Sequence, residues 1–263
     1  MNDEITGIDE RALPASVDRL ARDGFVILHD LCDAEMVTSI LEISRRRSRA
    51  IRDALGTREI GIGSAAGFLE IVQRSPGRWD VPIAPQEFGI KDRAMPWWPL
   101  IAAVLGEDAE HSFSGVVSSE PDSPAQFWHI DSPHISQQHC GAPAINVLVA
   151  LHDIPLEMGP TECARGSHVL TNHLSNSSLL IDELVYQHAS TTPESLSADT
   201  NDDALERCAS AMTAGSCLVF DDRILHRGLA NNSADTRHVA CFSYRKKGCL
   251  LYTSDAADDD YTV

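Results

Sequence analysis

His129 and Asp131 stand two residues apart in Trp128-His129-Ile130-Asp131. Side chains alternate along an extended strand, so both can face one side of it. Far downstream lie Leu225-His226-Arg227 and, 11 residues after His226, Arg237. A second imidazole arriving from a distant strand would complete two His and one carboxylate on one face of a metal. That donor set holds non-heme Fe(II) and leaves the remaining positions open for substrate and dioxygen. A lone H-x-D occurs by chance, so its surroundings carry the weight. His134, His139, His152 and His168 also lie near the pair in sequence, and each has the chemistry of a ligand.

The elements that must position these groups are legible in outline. Residues 15–23 have Val17, Leu20 and Ala21 on one helical face, Gly24 stops them, and Phe25-Val26-Ile27-Leu28 follows as a strand. Asp33 suits the N-cap of a long helix from Ala34 to about Leu55. Met36, Val37, Ile40, Leu41 and Ile43 form its buried side. Arg45, Arg46, Arg47, Arg49 and Arg52 follow on the same helix. An anion-binding patch is one reading of them; a solvated cationic helix end is the favoured one. Residues 56–96 are rich in Gly and Pro and give no clear assignment. Trp97 to Leu105 reads as a helix ended by Gly106. From Ser112 onward short strands dominate: 112–119, 125–131, 144–152, 161–164, 216–220, 223–230 and 236–245. That pattern predicts a sandwich or barrel rather than alternating β-α units. Residues 171–203 are rich in Ser, Thr, Asn and Asp and suit a lid over a site. A short helix is expected over 204–212.

Composition excludes several classes. The chain has 263 residues, is 43% hydrophobic and carries a net charge of −18. The length suits one large domain. The charge speaks against nucleic acid and anionic membrane surfaces as partners. With no apolar run of 18 residues or more, no membrane span is expected. An acidic start without an apolar h-region argues against secretion. Seven Cys without C-x-x-C pairs read as reduced thiols of a cytoplasmic protein, not as zinc ligands. Monomer and homodimer both remain open.

The segment Cys249-Leu250-Leu251-Tyr252-Thr253-Ser254-Asp255-Ala256-Ala257-Asp258-Asp259 resembles the translation of a transposon-end sequencing adapter. Residues 249–263 are therefore expected to be a non-native read-through tail. Without its four aspartates the charge is −14, still acidic.

Four ordered blocks make the chain resemble the phytanoyl-CoA dioxygenase-like family of Fe(II)/2-oxoglutarate oxygenases. The first is Leu20-Ala21-Arg22-Asp23-Gly24-Phe25-Val26-Ile27-Leu28. The second is Phe127-Trp128-His129-Ile130-Asp131-Ser132-Pro133-His134. The third runs from Leu151-His152-Asp153-Ile154 through Glu157-Met158-Gly159-Pro160-Thr161-Glu162 to Arg165-Gly166-Ser167-His168. The fourth joins Ala214-Gly215-Ser216, Phe220-Asp221-Asp222-Arg223 and His226-Arg227-Gly228 to Asn231 and Arg237. The resemblance implies a mainly β fold with flanking helices: a double-stranded β-helix (jelly-roll, cupin-like) core over about 111–248. A helical N-terminal part, about 1–110, would pack on it as one domain, 1–248.

The resemblance also implies iron ligation by His129, Asp131 and His226. Arg237 then pairs with the distal carboxylate of 2-oxoglutarate, as a planar guanidinium fork suits a carboxylate. The implied cofactors are Fe(II), 2-oxoglutarate and dioxygen (O2). The implied reaction hydroxylates a C–H bond of a small organic substrate and releases succinate and CO2. Since Asp131 is present where halogenating relatives carry a small residue, hydroxylation is favoured over halogenation. Arg165 departs from the family's usual Pro. His238 is expected to face away from the site.

Further residues carry weaker expectations. Asn146, on the strand 144–152, suits hydrogen bonding to 2-oxoglutarate or substrate, or a satisfied core position. Gln126 is a substrate-binding candidate with the same ambiguity. Arg74 and Arg78 in Gln73-Arg74-Ser75-Pro76-Gly77-Arg78-Trp79 are candidates for clamping an anionic substrate. Two rival functions stand beside the oxygenase. One is a cupin-like metal enzyme that does not use 2-oxoglutarate, against which Arg237 speaks. The other is a non-catalytic binding module with the same fold, against which the intact triad speaks.

Overall fold

The computed structural model describes residues 5–6, 8, 11–55, 72–177 and 205–249. The expected read-through tail beyond Cys249, residues 178–203 of the expected lid and residues 56–71 lie outside them. Three helices lead into two antiparallel sheets: α1 (Ala12–Asp23), α2 (Ala34–Leu55) and α3 (Trp98–Leu105). The strands are β1 (Ile5–Thr6), β2 (Phe25–His29), β3 (Val72–Ser75), β4 (Arg78–Pro82), β5 (Glu110–Ser119) and β6 (Ala144–Ala150). They continue with β7 (Thr161–Ala164), β8 (Arg207–Ala209), β9 (Cys217–Asp221), β10 (His226–Gly228) and β11 (Arg237–Arg245).

The large sheet has the order β1-β2-β9-β6-β11-β5-β4-β3 and the small one β10-β7-β8. Only the short β1–β2 pair is parallel. The result is the jelly-roll sandwich with flanking helices that the sequence implied. No helix among the described residues is long and apolar enough to cross a membrane.

Local signals explain the helix ends. Gly24 sits at φ 82, where a left-handed turn sends the chain from α1 into β2, and its N–H meets Leu20 O. The Asp33 carboxylate accepts the Met36 N–H at 2.8 Å and caps α2.

Strand alternation then divides the large sheet between two cores. Outward residues such as Val26, Val81, Val116, Ile145, Val147, Val149, Val219, Ala240 and Phe242 pack with Leu20, Ile40, Ile51 and the α3 side chains. Trp97 is fully buried in that layer, stacks on Phe242 at 4.9 Å and donates Nε1–H to Tyr244 at 3.0 Å. Inward residues Phe25, Leu218, Phe220, Ala150 and Val239 meet Ile154, Cys163, Met212 and Ile224 between the sheets. This inner space is where the chemistry-bearing residues converge.

Three sequence expectations change. Residues 207–209 form β8 rather than part of a helix, because they complete the edge of β7 through Glu162↔Ala209, Cys163↔Cys208 and Ala164↔Arg207. Residues 125–131 are not a full strand; they carry the isolated bridge His129↔His226, flanked by backbone bonds from Gln126 to Gly228 and from Asp131 to Asp222. The unassigned stretch contains β3 and β4, a hairpin that extends the sheet beyond β5. Arg165, the departure from the family's Pro, reaches Asp23 at 2.6 Å and Glu206 at 2.8 Å, so it ties α1 to the small sheet. All seven Cys are free.

Candidate metal centre and co-substrate pocket

His129 and His226 are direct cross-strand partners. The His129 N–H donates to His226 O at 3.1 Å, and the His226 N–H to His129 O at 3.0 Å. Two residues on, the Asp131 N–H donates to Asp222 O at 2.9 Å, which fixes the third group. The side-chain donors of His129, Asp131 and His226 lie within 4.8 Å of one another. His129 Nε2 is 3.9 Å from Asp131 Oδ1, and His226 Nε2 is 3.7 Å from Asp131 Oδ2.

Both rings are oriented by the same device. His129 Nδ1 faces Phe127 O at 2.9 Å and His226 Nδ1 faces Ile224 O at 3.0 Å. A carbonyl can only accept, so each Nδ1 carries the proton and each Nε2 presents a lone pair to the shared centre. Desolvation, and next the charge of His226, push His129 down to about 4, which keeps its ring neutral at pH 7. His226 is 8% exposed, while His129 and Asp131 are 37% and 39% exposed. The centre is thus covered on the sheet side and open on the other, where a substrate can approach. Two imidazole nitrogens and a carboxylate, with no thiolate in the group, fit iron of the non-heme type.

Asn146 lies beside Asp131. Its Nδ2 donates to Asp131 Oδ2 at 2.7 Å, and its Oδ1 accepts the Ser243 hydroxyl. The amide therefore orients the metal-facing carboxylate.

Arg237 projects from β11 into the inter-sheet space and is 2% exposed. Its Nη2 donates to Ser119 Oγ at 3.1 Å, but Nε and Nη1 are buried with no partner. Among the described residues, a cavity lined by Leu148, Ala150, Ile154, Met212, Leu218 and Val239 has Arg237 as its only charged member. Burial, then the charge of Arg78, push Arg237 down to about 9. A buried guanidinium with unmade hydrogen bonds is costly. A buried fork beside apolar walls has the chemistry to hold a carboxylate such as that of 2-oxoglutarate, and the space beside it in this structure is about 10 Å³, the size of one water.

Arg78 is 0% exposed and committed to the fold. It donates to Gln126 Oε1 at 3.3 Å, Pro124 O at 3.2 Å and Leu229 O at 2.8 Å. Gln126 Oε1 also takes the Gly228 N–H at 3.0 Å. A Cβ at Gly228 would collide with the Arg78 guanidinium, so Gly is required there. Arg78 and Gln126 thus brace the segment leading to His129, with Arg78 Nε buried and without a partner. Arg74 is half-buried and holds Asp80 at 3.1 Å. Its charge is the smallest of the causes that act on His129.

Four participants escaped sequence reasoning. They are Ser119 beside Arg237, Ser243 behind Asn146, Asp80 beside Arg74, and the Asp222 carbonyl that receives Asp131. Asp222 belonged to a recognised block, but its role runs through the backbone and leaves no side-chain signal. The other three depend on strand register.

A sequence profile of the phytanoyl-CoA dioxygenase (PhyH) family matches residues 20–239. The chain belongs to that family. For a PhyH protein with this donor set, the cofactors are iron, 2-oxoglutarate and dioxygen. Solved structures share the PhyH architecture at low identity. The non-heme alpha-ketoglutarate-dependent epimerase SnoN from nogalamycin biosynthesis is 20% identical, with a TM-score of 0.61 over 90% of this chain and 82% of its own. The carbocyclase SnoK from the same biosynthesis is 17% identical, with a TM-score of 0.58 over 91% of this chain and 84% of its own. HygX from Streptomyces hygroscopicus, with nickel, 2-oxoglutarate and hygromycin B bound, is 16% identical, with a TM-score of 0.57 over 92% of this chain and 88% of its own.

Proposed function

We propose that the protein is an Fe(II)- and 2-oxoglutarate-dependent dioxygenase that hydroxylates a C–H bond of a small organic substrate. His129, Asp131 and His226 hold the iron, and Arg237 holds the distal carboxylate of 2-oxoglutarate. The carrying observation is the pairing of the two-His, one-carboxylate centre with a buried guanidinium that lacks partners. When bound, iron and 2-oxoglutarate couple reduction of dioxygen to loss of CO2 and formation of succinate, with the second oxygen atom going to the substrate carbon.

The protein's own part is positional. The Phe127 and Ile224 carbonyls hold both Nε2 lone pairs inward, and Asn146 keeps the Asp131 carboxylate from rotating. The apolar walls around Arg237 exclude water and strengthen its hold on a carboxylate. Arg74, paired with Asp80 and felt electrostatically at His129, is the candidate to meet a polar or anionic group of the substrate.

The test is substrate-screened succinate formation by Fe(II)-loaded protein, with mass analysis of the product. Gain of one oxygen atom by the substrate supports hydroxylation. SnoN and SnoK are named as an epimerase and a carbocyclase, so an isomerised or cyclised product accompanied by succinate would overturn hydroxylation and keep the co-substrate reading. Release of no succinate under any substrate would overturn the oxygenase reading itself. Arg237→Met is expected to raise the 2-oxoglutarate requirement about 100-fold, since a charged hydrogen-bonding partner is lost. The same variant should melt no lower than the parent protein without ligands, because a buried unpaired charge is removed.

A further inference from the structure

The arginines of α2 are exposed, as a solvated helix end requires, and most of them also share one groove. Arg47 turns to Glu87, while Arg45, Arg46, Arg49 and Arg52 line a groove of about 1020 Å³. Arg45, Arg49 and Arg52 follow i, i+4, i+7 spacing and so share one face, spanning about 10 Å. The facing wall comes from His152 and Asp153 after β6 and from Asp235, Thr236 and His238 at the start of β11. Its acidic members are Glu42, Asp153 and Asp235. Asp153 is engaged by the Ala214 N–H at 2.9 Å, and Arg52 has only a 3.5 Å contact with Glu120. Among the described residues Arg45, Arg46 and Arg49 make no ion pair.

The wall at β11 is built from buried polar groups. His238 is 5% exposed, with Nδ1 2.9 Å from Ser118 Oγ, which is itself 3.2 Å from Ser48 Oγ. His152 Nε2 accepts the His238 N–H at 2.9 Å. Burial, then His152, Arg45 and Arg52, push His238 down to about 4. The groove thus sets four arginines against three acidic side chains, with His238 neutral at pH 7. His238 and Arg237 are consecutive on β11 and point to opposite faces, so the groove lies across the sheet from the co-substrate slot.

We infer that this groove binds a compact ligand carrying a linear di- or triphosphate, at a site distinct from the metal centre. Several guanidinium forks in a row match successive phosphates better than a single carboxylate. The volume leaves room for a nucleotide-sized body beyond the phosphates. A net charge of −18 repels extended polyanions and so favours a small ligand over nucleic acid or a membrane.

The experiment is calorimetric titration of the full chain, at low and at moderate salt, with tripolyphosphate, ADP and orthophosphate. Saturable binding of tripolyphosphate or ADP, about tenfold tighter than orthophosphate, is expected; whichever of the two binds tighter identifies an inorganic or a nucleotide source. Arg45→Glu with Arg49→Glu should weaken binding about 100-fold, and Arg45→Lys with Arg49→Lys about tenfold, since charge stays while the forks go. Lys91→Glu, a single charge reversal outside the groove, and His129→Ala should leave affinity unchanged. Thermal melts confirm that each variant is folded. Absence of saturable binding by the parent chain overturns the inference, as does an equal loss in Lys91→Glu. A loss confined to His129→Ala places the anion at the metal centre and overturns it as well.

Discussion

The two faces of β11 are one residue apart and chemically unlike. The outer face carries Ala240, Phe242 and Tyr244, each 0% exposed and packed beneath the helices. The inner face carries Arg237, with two orphaned nitrogens, and Ser243, which holds Asn146 against Asp131. One strand thus serves two demands that oppose each other. Stability wants filled space and satisfied hydrogen bonds, while a binding site needs groups left waiting for a ligand. Strand alternation lets both coexist without compromise at any single position.

Substitutions on the two faces should therefore separate function from stability. Asp131→Ala is expected to abolish turnover while the metal-free protein unfolds at nearly the parent temperature. Full 2-oxoglutarate consumption by that variant would sink the metal assignment. Phe242→Ala should do the reverse, costing about 3–5 kcal/mol in urea denaturation because a fully buried ring leaves a cavity against Trp97 and Phe88. A loss under about 1 kcal/mol would mean that the outer face does not carry the fold.

Asn146→Ala should lower Fe(II) affinity about 10–100-fold with little change in melting, as removal of an orienting partner does in other metal sites. Unchanged affinity would return Asn146 to the role of a satisfied core residue.

The smallest effect is on pH. His134 and His238 are both pushed down to about 4, chiefly by burial. Unfolding returns each to an ordinary value near 6.5. The unfolded chain then binds more protons between about pH 6.5 and pH 4, so stability present above that window is lost as pH falls through it. His134→Gln should flatten this slope by on the order of 1 kcal/mol, read from denaturation at pH 7 and pH 5. A slope unaltered by the substitution would place the acid sensitivity elsewhere.

Much of the frame was legible because its signals are local. Gly24, Asp33 and Gly106 act within a turn of their own position, and the helices end where those residues stand. The near-continuous apolar run at 144–150 and the β-rich run at 237–245 announce strands from local composition. The ligand types at 129, 131 and 226 were legible as chemistry. Residues 207–209 were not legible as a strand, because only the β7 edge makes them one. The hairpin 72–82 was obscured by Pro76 and Gly77, which mark its turn but also resemble loop composition.

The sequence by itself determined which chemical groups exist, which segments coil or extend, and which side of each segment is apolar. Those choices depend on interactions over a few residues. Tertiary structure alone decided what stands opposite what. It set His129 against His226 across a separation of 97 residues, turned Asn146 onto Asp131, and committed Arg78 to Gln126 and two carbonyls. It also left Arg237 waiting and gathered the α2 arginines around His238. Register between distant strands is set by packing of the whole sandwich, and no local pattern encodes it.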